Sequence, residues 1–394
     1  MVLFDVETLL RWKGPPAGIP RVIAQLSRQF LQSRRIRFVT YSQRKHAFVF
    51  LNKGQKRVLA SMLSAATPRD PGGMLSQEGD NLCDSKTVSR KDIFLGCGVP
   101  WGRRQYVDCL AKLKEETGCF VSYLIYDIIP VLLPQTYGSG LPAIFAEALV
   151  DLLWISDHIF AISENTKRDL QNFMQFNQIG SVAVTTVRLG DSPFLPVRQR
   201  AAAFSAAREY ANGYVLTVGT IEARKNHRLL YEVWRRLSLS LKTKCPSLLI
   251  VGRKGWLTND LVVQMKADPL VNRLIEIQSD VDDQRLESAY RNSLFTVYPS
   301  FYEGWGLPIA ESLARGKFCL ASNSSSMREI AGDLIEYFDP YSIDQAYAVI
   351  SKYLRYPQIL RRKEAQIRRR YRPRPWDMTA SEFFRQFEGR GWIT

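Results

Sequence analysis

The chain has 394 residues, room for two ordinary domains, and at 46% hydrophobic it still contains no apolar run of the roughly 18 residues needed to span a bilayer. Six scattered cysteines without a CxxC pair, and only His46, His158 and His227, exclude a disulfide framework and a histidine-based metal site. The formal charge of +16 is uneven: residues 1–60 hold twelve Lys or Arg against Asp5 and Glu7, and "RRKEAQIRRRYRPR" (361–374) is a second block. Such blocks suit a polyanion (nucleic acid, an anionic membrane surface or a phosphorylated substrate) or simply solvated helix faces. "MVLFDVETLL" shows no charged leader or cleavage site, so the expected compartment is the cytoplasm.

In chain order, "MVLFDV" (1–6), "IRFVTYS" (36–42), "DIFLGCG" (92–98), "CFVSYLIYD" (119–127), "DHIFAIS" (157–163) and "SVAVTTVRLG" (181–190) read as strands. Helical patterns alternate with them at 19–33, 103–118 and 141–156. Residues 53–90 break the rhythm and read as a polar insertion of low order. After the Pro-containing stretch "DSPFLPVRQRAAAFSAAREYANG" (191–213), a second series runs through "YVLTVGT" (214–220), "SLLIVGR" (247–253), "LIEIQS" (274–279), "LFTVYPS" (294–300), "FCLAS" (318–322) and "LIEYFDP" (334–340). Helices fall between these strands and over 342–355. Strands apolar on both faces, alternating with helices, predict two α/β domains with mainly parallel sheets. The expected organisation is an N-terminal domain over 1–190, a linker over 191–212 and a C-terminal domain over 213–375. A final helix over 376–394 would pack back on the first domain. Ligands are expected at the carboxyl ends of the strands, in the cleft between the domains.

Two segments carry chemistry. In "EGWGLPIAE" (303–311), Pro308 suits the first turn of a helix, and Gly304 and Gly306 let the amides of Gly304, Trp305, Gly306 and Leu307 approach a ligand. With the helix N-terminus behind them, these amides suit phosphate or sugar hydroxyl oxygens. Glu303 and Glu311 flank the site, and each carboxylate can accept two hydroxyl hydrogen bonds. That pattern fits a nucleotide sugar; it also fits an ordinary loop-to-helix junction with a surface glutamate at each end. In "VGTIEARKNH" (218–227), Arg224 and Lys225 stand where a loop opens a helix, placed to meet a diphosphate with charge-assisted hydrogen bonds. Neither a GK[ST] loop nor a GxGxxG pattern is present in these segments.

Together, "VGTIEARKNHRLL", "LLIVGRKGW", "VDDQRLESAYRNS" and "YPSFYEGWGLPIAESLARGKFCLAS" resemble the nucleotide-binding half of the family 4 retaining glycosyltransferases, over residues 213–340. Glu303 and Glu311 match that family's E-x7-E motif. "PAGIPRVIAQL" (16–26), "LIYDIIPVLLPQTY" (124–137) and "FAISENTKRDL" (160–170) resemble its N-terminal half. The likeness extends to bacterial enzymes that build O-antigens and exopolysaccharides, many of them mannosyltransferases. It implies a GT-B fold, two Rossmann-like doubly wound domains facing across a cleft.

Carried over residue by residue, the resemblance gives Glu311 the ribose hydroxyls and Glu303 the transferred hexose. Arg224 and Lys225 would clamp the diphosphate, and the amides at Gly306 and Leu307 would hold the sugar and distal phosphate. Gly219 and Thr220 would line the donor loop, the Val281 backbone would meet the base, and Gly18 would admit donor phosphate or acceptor. Asp127 would act on the acceptor side. Two departures stand out: Thr220 replaces an arginine frequent in relatives, and Tyr126 replaces a histidine before Asp127. His158 reads as a structural residue. The implied reaction retains the anomeric configuration, uses no metal or other cofactor, and has the departing phosphate oxygen take the acceptor's proton. The implied partners are GDP-mannose (dTDP-rhamnose and UDP-hexoses being open), a glycan or polyprenyl-diphosphate-linked acceptor, and the anionic inner face of the cell membrane. A nucleotide-sugar 2-epimerase on the same fold is the rival. A nucleic-acid-binding role lacks any recognition motif among the basic blocks.

Overall fold

The computed structural model describes residues 1–12, 18–64, 81–191, 210–389 and 391. Residues 16–17 of the first glycine-containing segment, 65–80 of the polar insertion and most of the 191–212 linker lie outside the described residues, as do 390 and 392–394 of the C-terminal segment. The chain divides into two compact units, one of residues 1–132, 140–190 and 374–394, the other of residues 133–139 and 191–373.

In the first unit the order is β1 (Val2–Asp5), α1 (Glu7–Arg11), α2 (Ile19–Phe30), β2 (Ile36–Ser42), β3 (Ala47–Phe50), α3 (Lys53–Ser64) and β4 (Ile93–Gly96). There follow α4 (Arg104–Thr117), β5 (Phe120–Ile125), α5 (Ile129–Leu132), α6 (Leu141–Ile155), β6 (His158–Ala161), α7 (Glu164–Phe176) and β7 (Ala183–Thr186). The sheet order is β3-β2-β1-β4-β5-β6-β7, parallel except for the β2–β3 hairpin. Every residue of β1, β4 and β6 is buried, because helices cover both faces of a parallel sheet. Edge-on aromatic contacts fill one layer, with Phe48 4.9 Å from Phe94 and 5.0 Å from Tyr106.

The second unit runs β8 (Tyr214–Val218), α8 (His227–Leu241), β9 (Ser247–Val251), α9 (Asn259–Ala267), β10 (Ile275–Gln278), α10 (Asp283–Asn292) and β11 (Thr296–Tyr298). It continues with α11 (Leu307–Ala314), β12 (Cys319–Ser322), α12 (Met327–Ala331), β13 (Glu336–Phe338), α13 (Ile343–Arg355) and α14 (Pro357–Arg370). Its strand order, β10-β9-β8-β11-β12-β13, is the doubly wound arrangement, and the winding reverses between β8 and β11. In doubly wound sheets such a reversal is where ligands are received, in the crevice at the carboxyl ends of the two strands.

Two sequence expectations are corrected. Residues 53–64, assigned to a low-order insertion, form helix α3, and β3 just before it pairs antiparallel with β2. Residues 133–139, placed in the first domain, count with the second unit, where Trp256 Nε1 donates to Thr136 O (3.0 Å) and stacks near Tyr137. Of the basic block 361–374, residues 361–370 lie in α14, which ends at Arg370. The last helix, α15 (Trp376–Gly389), belongs to the first unit. Phe383 meets Phe160 edge-on at 4.7 Å, and Trp376 packs so tightly on Gly190 that a Cβ there would lie 2.7 Å from the indole.

Candidate active site

The crevice between β8 and β11 is built by two loops. The loop after β8 lies directly on the loop after β9: Gly219 N donates to Val251 O (2.9 Å), and a Cβ on Gly252 would stand 1.9 Å from Gly219 O. Only glycine at 252 permits that approach. A short 3-10 turn over 223–225 then presents Arg224 and Lys225. Asn226 follows with φ +54°, a left-handed conformation that asparagine tolerates, and its amide donates to Pro299 O (3.2 Å) and Pro340 O (2.8 Å). Phe301 N donates to Arg224 O (2.9 Å), which fastens the loop after β8 to the loop after β11.

These ties bring both cations onto one carboxylate. Arg224 Nη1 lies 2.7 Å from Glu303 Oε2 and donates to Tyr302 O (2.8 Å), while Nη2 donates to Glu222 Oε1 (2.6 Å). Lys225 Nζ donates to Glu303 Oε1 (2.6 Å) and to Tyr298 OH (2.8 Å). Glu222 and Glu303 are buried, so the cluster is two cations and two carboxylates held away from water. Burial pushes the Glu303 carboxyl up, but Arg224 and Lys225 outweigh it and hold its pKa down at about 2. Burial pulls the Lys225 ammonium below its ordinary range, with Glu303 opposing the fall.

The loop carrying Glu303 is held by three successive serines that precede α12. Ser324 Oγ donates to Phe301 O (2.6 Å), Ser325 Oγ accepts from Glu303 N (2.9 Å), and Ser326 Oγ donates to Glu303 O (2.9 Å) and Trp305 O (2.8 Å). Gly306 then caps α11 at φ +122°, with Pro in the first turn, leaving an N-terminus with no side-chain cap. Glu311 sits buried inside α11, where Oε2 accepts from Tyr290 OH (2.8 Å). Arg315 donates to Glu311 O (2.7 Å) and lies 4.7 Å from the Tyr290 ring. Val281 packs against the small core cluster that contains Tyr290, just before α10.

Arg224, Lys225 and Glu303 are thus brought into contact, with Gly304, Trp305, Gly306 and Leu307 leading from Glu303 into the helix that carries Glu311. Gly219 and Thr220 lie in the facing loop, and Thr220 is exposed. Gly18 and Asp127 belong to the first unit, apart from this cluster in the division of the chain. Gly18 opens α2 at φ +56°, with no atom of the described residues within 4 Å of where a Cβ would stand, and Asp127 Oδ1 accepts from Ile129 N (3.1 Å) at the start of α5. Tyr126 is buried, its hydroxyl donating to Cys97 O (2.8 Å), and His158 is buried in β6 against Phe160 and Thr185. Both are core residues.

Sequence reasoning missed Glu222, Tyr298, Tyr290 and the serine triplet. Glu222 stands two residues from Arg224 and the run "NSSS" (323–326) was visible, but only the fold places either beside Glu303.

Residues 201–371 match the family described as "Glycosyl transferases group 1". The O-antigen chain mannosyltransferase B of Escherichia coli is 29% identical over 228 residues, covering 57% of this chain and 58% of that protein. The serotype-specific mannosyltransferase WbdA of Escherichia coli is 25% identical over 238 residues, 57% of this chain and 28% of that protein. The chain therefore spans less than two thirds of the length of these relatives. Sucrose-phosphate synthase from Thermosynechococcus elongatus superposes with a TM-score of 0.66 at 12% identity, over 99% of this chain and 98% of that one. HepE of Anabaena, solved with UDP and glucose, gives 0.64 at 15% identity, over 98% and 99%. Residues 201–371, in the second unit, thus match the glycosyl transferases group 1 model, and the chain has a GT-B fold.

Proposed function

We propose that this protein is a hexosyltransferase, transferring a hexose from a nucleoside-diphosphate sugar to a glycan or lipid-linked glycan in bacterial surface polysaccharide synthesis, with retention of anomeric configuration. The observation that carries it is the convergence of Arg224 and Lys225 on Glu303 at the crevice between β8 and β11, beside the uncapped N-terminus of α11. In the proposed cycle a diphosphate takes up the two cations and the helix amides, and Glu303 turns from ion-pair partner to acceptor of hexose hydroxyl hydrogens. The diphosphate gains charge as the glycosidic bond breaks, so these contacts strengthen in the transition state. The departing phosphate oxygen receives the proton of the attacking acceptor hydroxyl. Glu311, oriented by Tyr290, holds the ribose diol. The proposal gives charge neutralisation to Arg224 and Lys225, with no divalent ion required.

Two relatives named mannosyltransferases make GDP-mannose the first donor to test, ahead of dTDP-rhamnose and UDP-hexoses. Family 4 membership rests on the E-x7-E spacing of Glu303 and Glu311. A peripheral position at an anionic membrane is supported by Arg34, Arg44, Lys53 and Arg57, all exposed on the first unit. No helix among the described residues is long and apolar enough to cross a membrane. The patch is smaller than the sequence suggests, because Arg35 pairs with Glu388 and Arg37 lies over the Phe50 ring.

A melting-temperature screen against GDP, UDP, dTDP and CDP tests the core of the proposal. A ligand at 100 times its dissociation constant adds about 2.7 kcal/mol to native stability. One nucleotide should raise the melting temperature clearly above the others. Silence from all four would sink the nucleotide-sugar reading.

A further inference from the structure

Lys225 is the less constrained of the two cations at the crevice. Arg224 is a planar fork tied to Tyr302 O and Glu222 as well as to Glu303, so it keeps two partners when Glu303 turns to a sugar. Lys225 is an ammonium on a flexible stem. Besides Glu303, its Nζ donates to one further group among the described residues, the Tyr298 hydroxyl (2.8 Å). We propose that Tyr298 is the positioning residue of Lys225, the group that keeps the ammonium aimed at the donor diphosphate once Glu303 has left it for the hexose. This role rests on the nucleotide-sugar reading of the site.

The placement of Tyr298 suits that task. It is the last residue of β11, in register with Ala321 of β12, and it is buried. Its hydroxyl is therefore held by the sheet and not by the loop that carries Glu303. The same ring packs under the turn into α11: a Cβ on Gly306 would stand 3.6 Å from the ring edge. One rigid side chain thus links Lys225 to the uncapped helix N-terminus, the two parts that must meet a diphosphate together. The ammonium also lies 5.1 Å from the centroid of the Tyr298 ring.

The chemistry of a phenol suits it as well. A carboxylate partner cancels the charge of the ammonium, as Glu303 does; a phenol accepts its hydrogen bond and leaves the charge for a phosphate. Burial, with the Glu303 charge adding to it, pushes the Tyr298 hydroxyl well above its ordinary pKa, so it stays protonated at neutral and mildly alkaline pH. The other groups facing Lys225 are Glu303, Glu222 and Arg224 on the two loops and His227 on α8, the last kept neutral by burial at a pKa of about 3.

A double-mutant cycle on the full chain tests the role, read by hydrolysis of the nucleotide sugar whose nucleotide raises the melting temperature most. Tyr298→Phe removes one oxygen and keeps the ring. It should lower kcat about tenfold, or about 1.4 kcal/mol in the barrier. The donor KM should stay within about twofold, because a mobile ammonium still finds a bound phosphate in the ground state. In the Lys225→Ala background the same change should alter kcat by less than about twofold, since Tyr298 acts through the ammonium. A further readout needs no turnover. Burial already pulls the Lys225 pKa down, and losing a neutral acceptor disfavours the charged form more. The nucleotide-induced melting shift should therefore fade at lower pH in Tyr298→Phe than in the wild type. An unchanged kcat, an equal loss in the Lys225→Ala background, or a melting shift that fades at the same pH in both proteins would each overturn the positioning role alone. Failure of every nucleotide to shift the wild-type melting temperature would instead remove the nucleotide-sugar reading, and the role of Tyr298 with it.

Discussion

Glu303→Gln isolates the role of the buried ion cluster. In the wild type the Glu303 pKa is held at about 2 against an ordinary 4.5. At about 1.4 kcal/mol per unit, that depression corresponds to about 3 kcal/mol of native stability near neutral pH. The cost of leaving a buried charge without its partner points to the same size, about 3–5 kcal/mol. Because the folded pKa is depressed, the contribution is present above the unfolded value of 4.5 and is lost as pH falls through 4.5 toward 2. The gap between wild type and Glu303→Gln should therefore be greatest at pH 7 and narrow by roughly 1 kcal/mol by pH 3.5. Urea unfolding over that pH range measures it, and the melting temperature at pH 7 should fall by roughly 6–12 °C. Freed of their carboxylate, Arg224 and Lys225 should bind nucleoside diphosphate more tightly in the variant, while sugar transfer collapses. A variant within 1 kcal/mol of wild type at pH 7, or a gap that ignores pH, would refute the reasoning.

Arg224→Ala and Lys225→Ala should each lower kcat by about a hundredfold or more, since one preorganised charge-stabilising donor is worth roughly 3 kcal/mol; magnesium should not rescue them, and inhibition of the wild type by EDTA would contradict the proposal. Glu311→Ala should raise the donor KM with little change in kcat, as a ribose contact is equal in ground and transition states, and Tyr290→Phe should do the same more weakly. Gly252→Ala should destabilise the second unit and abolish nucleotide binding, because its Cβ has no room beside Gly219 O; normal melting and binding would show that the loop can move aside. Arg34, Arg44, Lys53 and Arg57 changed together to Ser should release the protein from anionic vesicles at low salt without affecting donor hydrolysis, each cation contributing about 1 kcal/mol near such a surface; equal retention of the variant would leave the patch a solvated face.

Much of the second domain was legible because its evidence is local. Alternation of apolar runs and helical patterns marks β8 through β13, and glycine, proline and carboxylate spacing in "EGWGLPIAE" marks a helix N-terminus whatever surrounds it. The first domain was read less well where local signals mislead. Its polar, glycine-containing stretch after Phe50 folds into α3, and the lone hairpin strand β3 follows a turn too short to announce itself.

The doubly wound class, the two cations after β8 and the two glutamates around the turn into α11 can all be read from residue types alone. Each depends on residue types within a few positions of one another. That Arg224 and Lys225 close on Glu303 rather than stand open is a consequence of the folded arrangement, since that contact spans 78 residues and exists because β8 and β11 are neighbours at the reversal of the winding. The same geometry made Glu222 a member of the cluster and set the serines of 324–326 behind Glu303. Proximity across a sheet is fixed by strand order, and strand order is a property of the packed core that no short stretch of sequence carries.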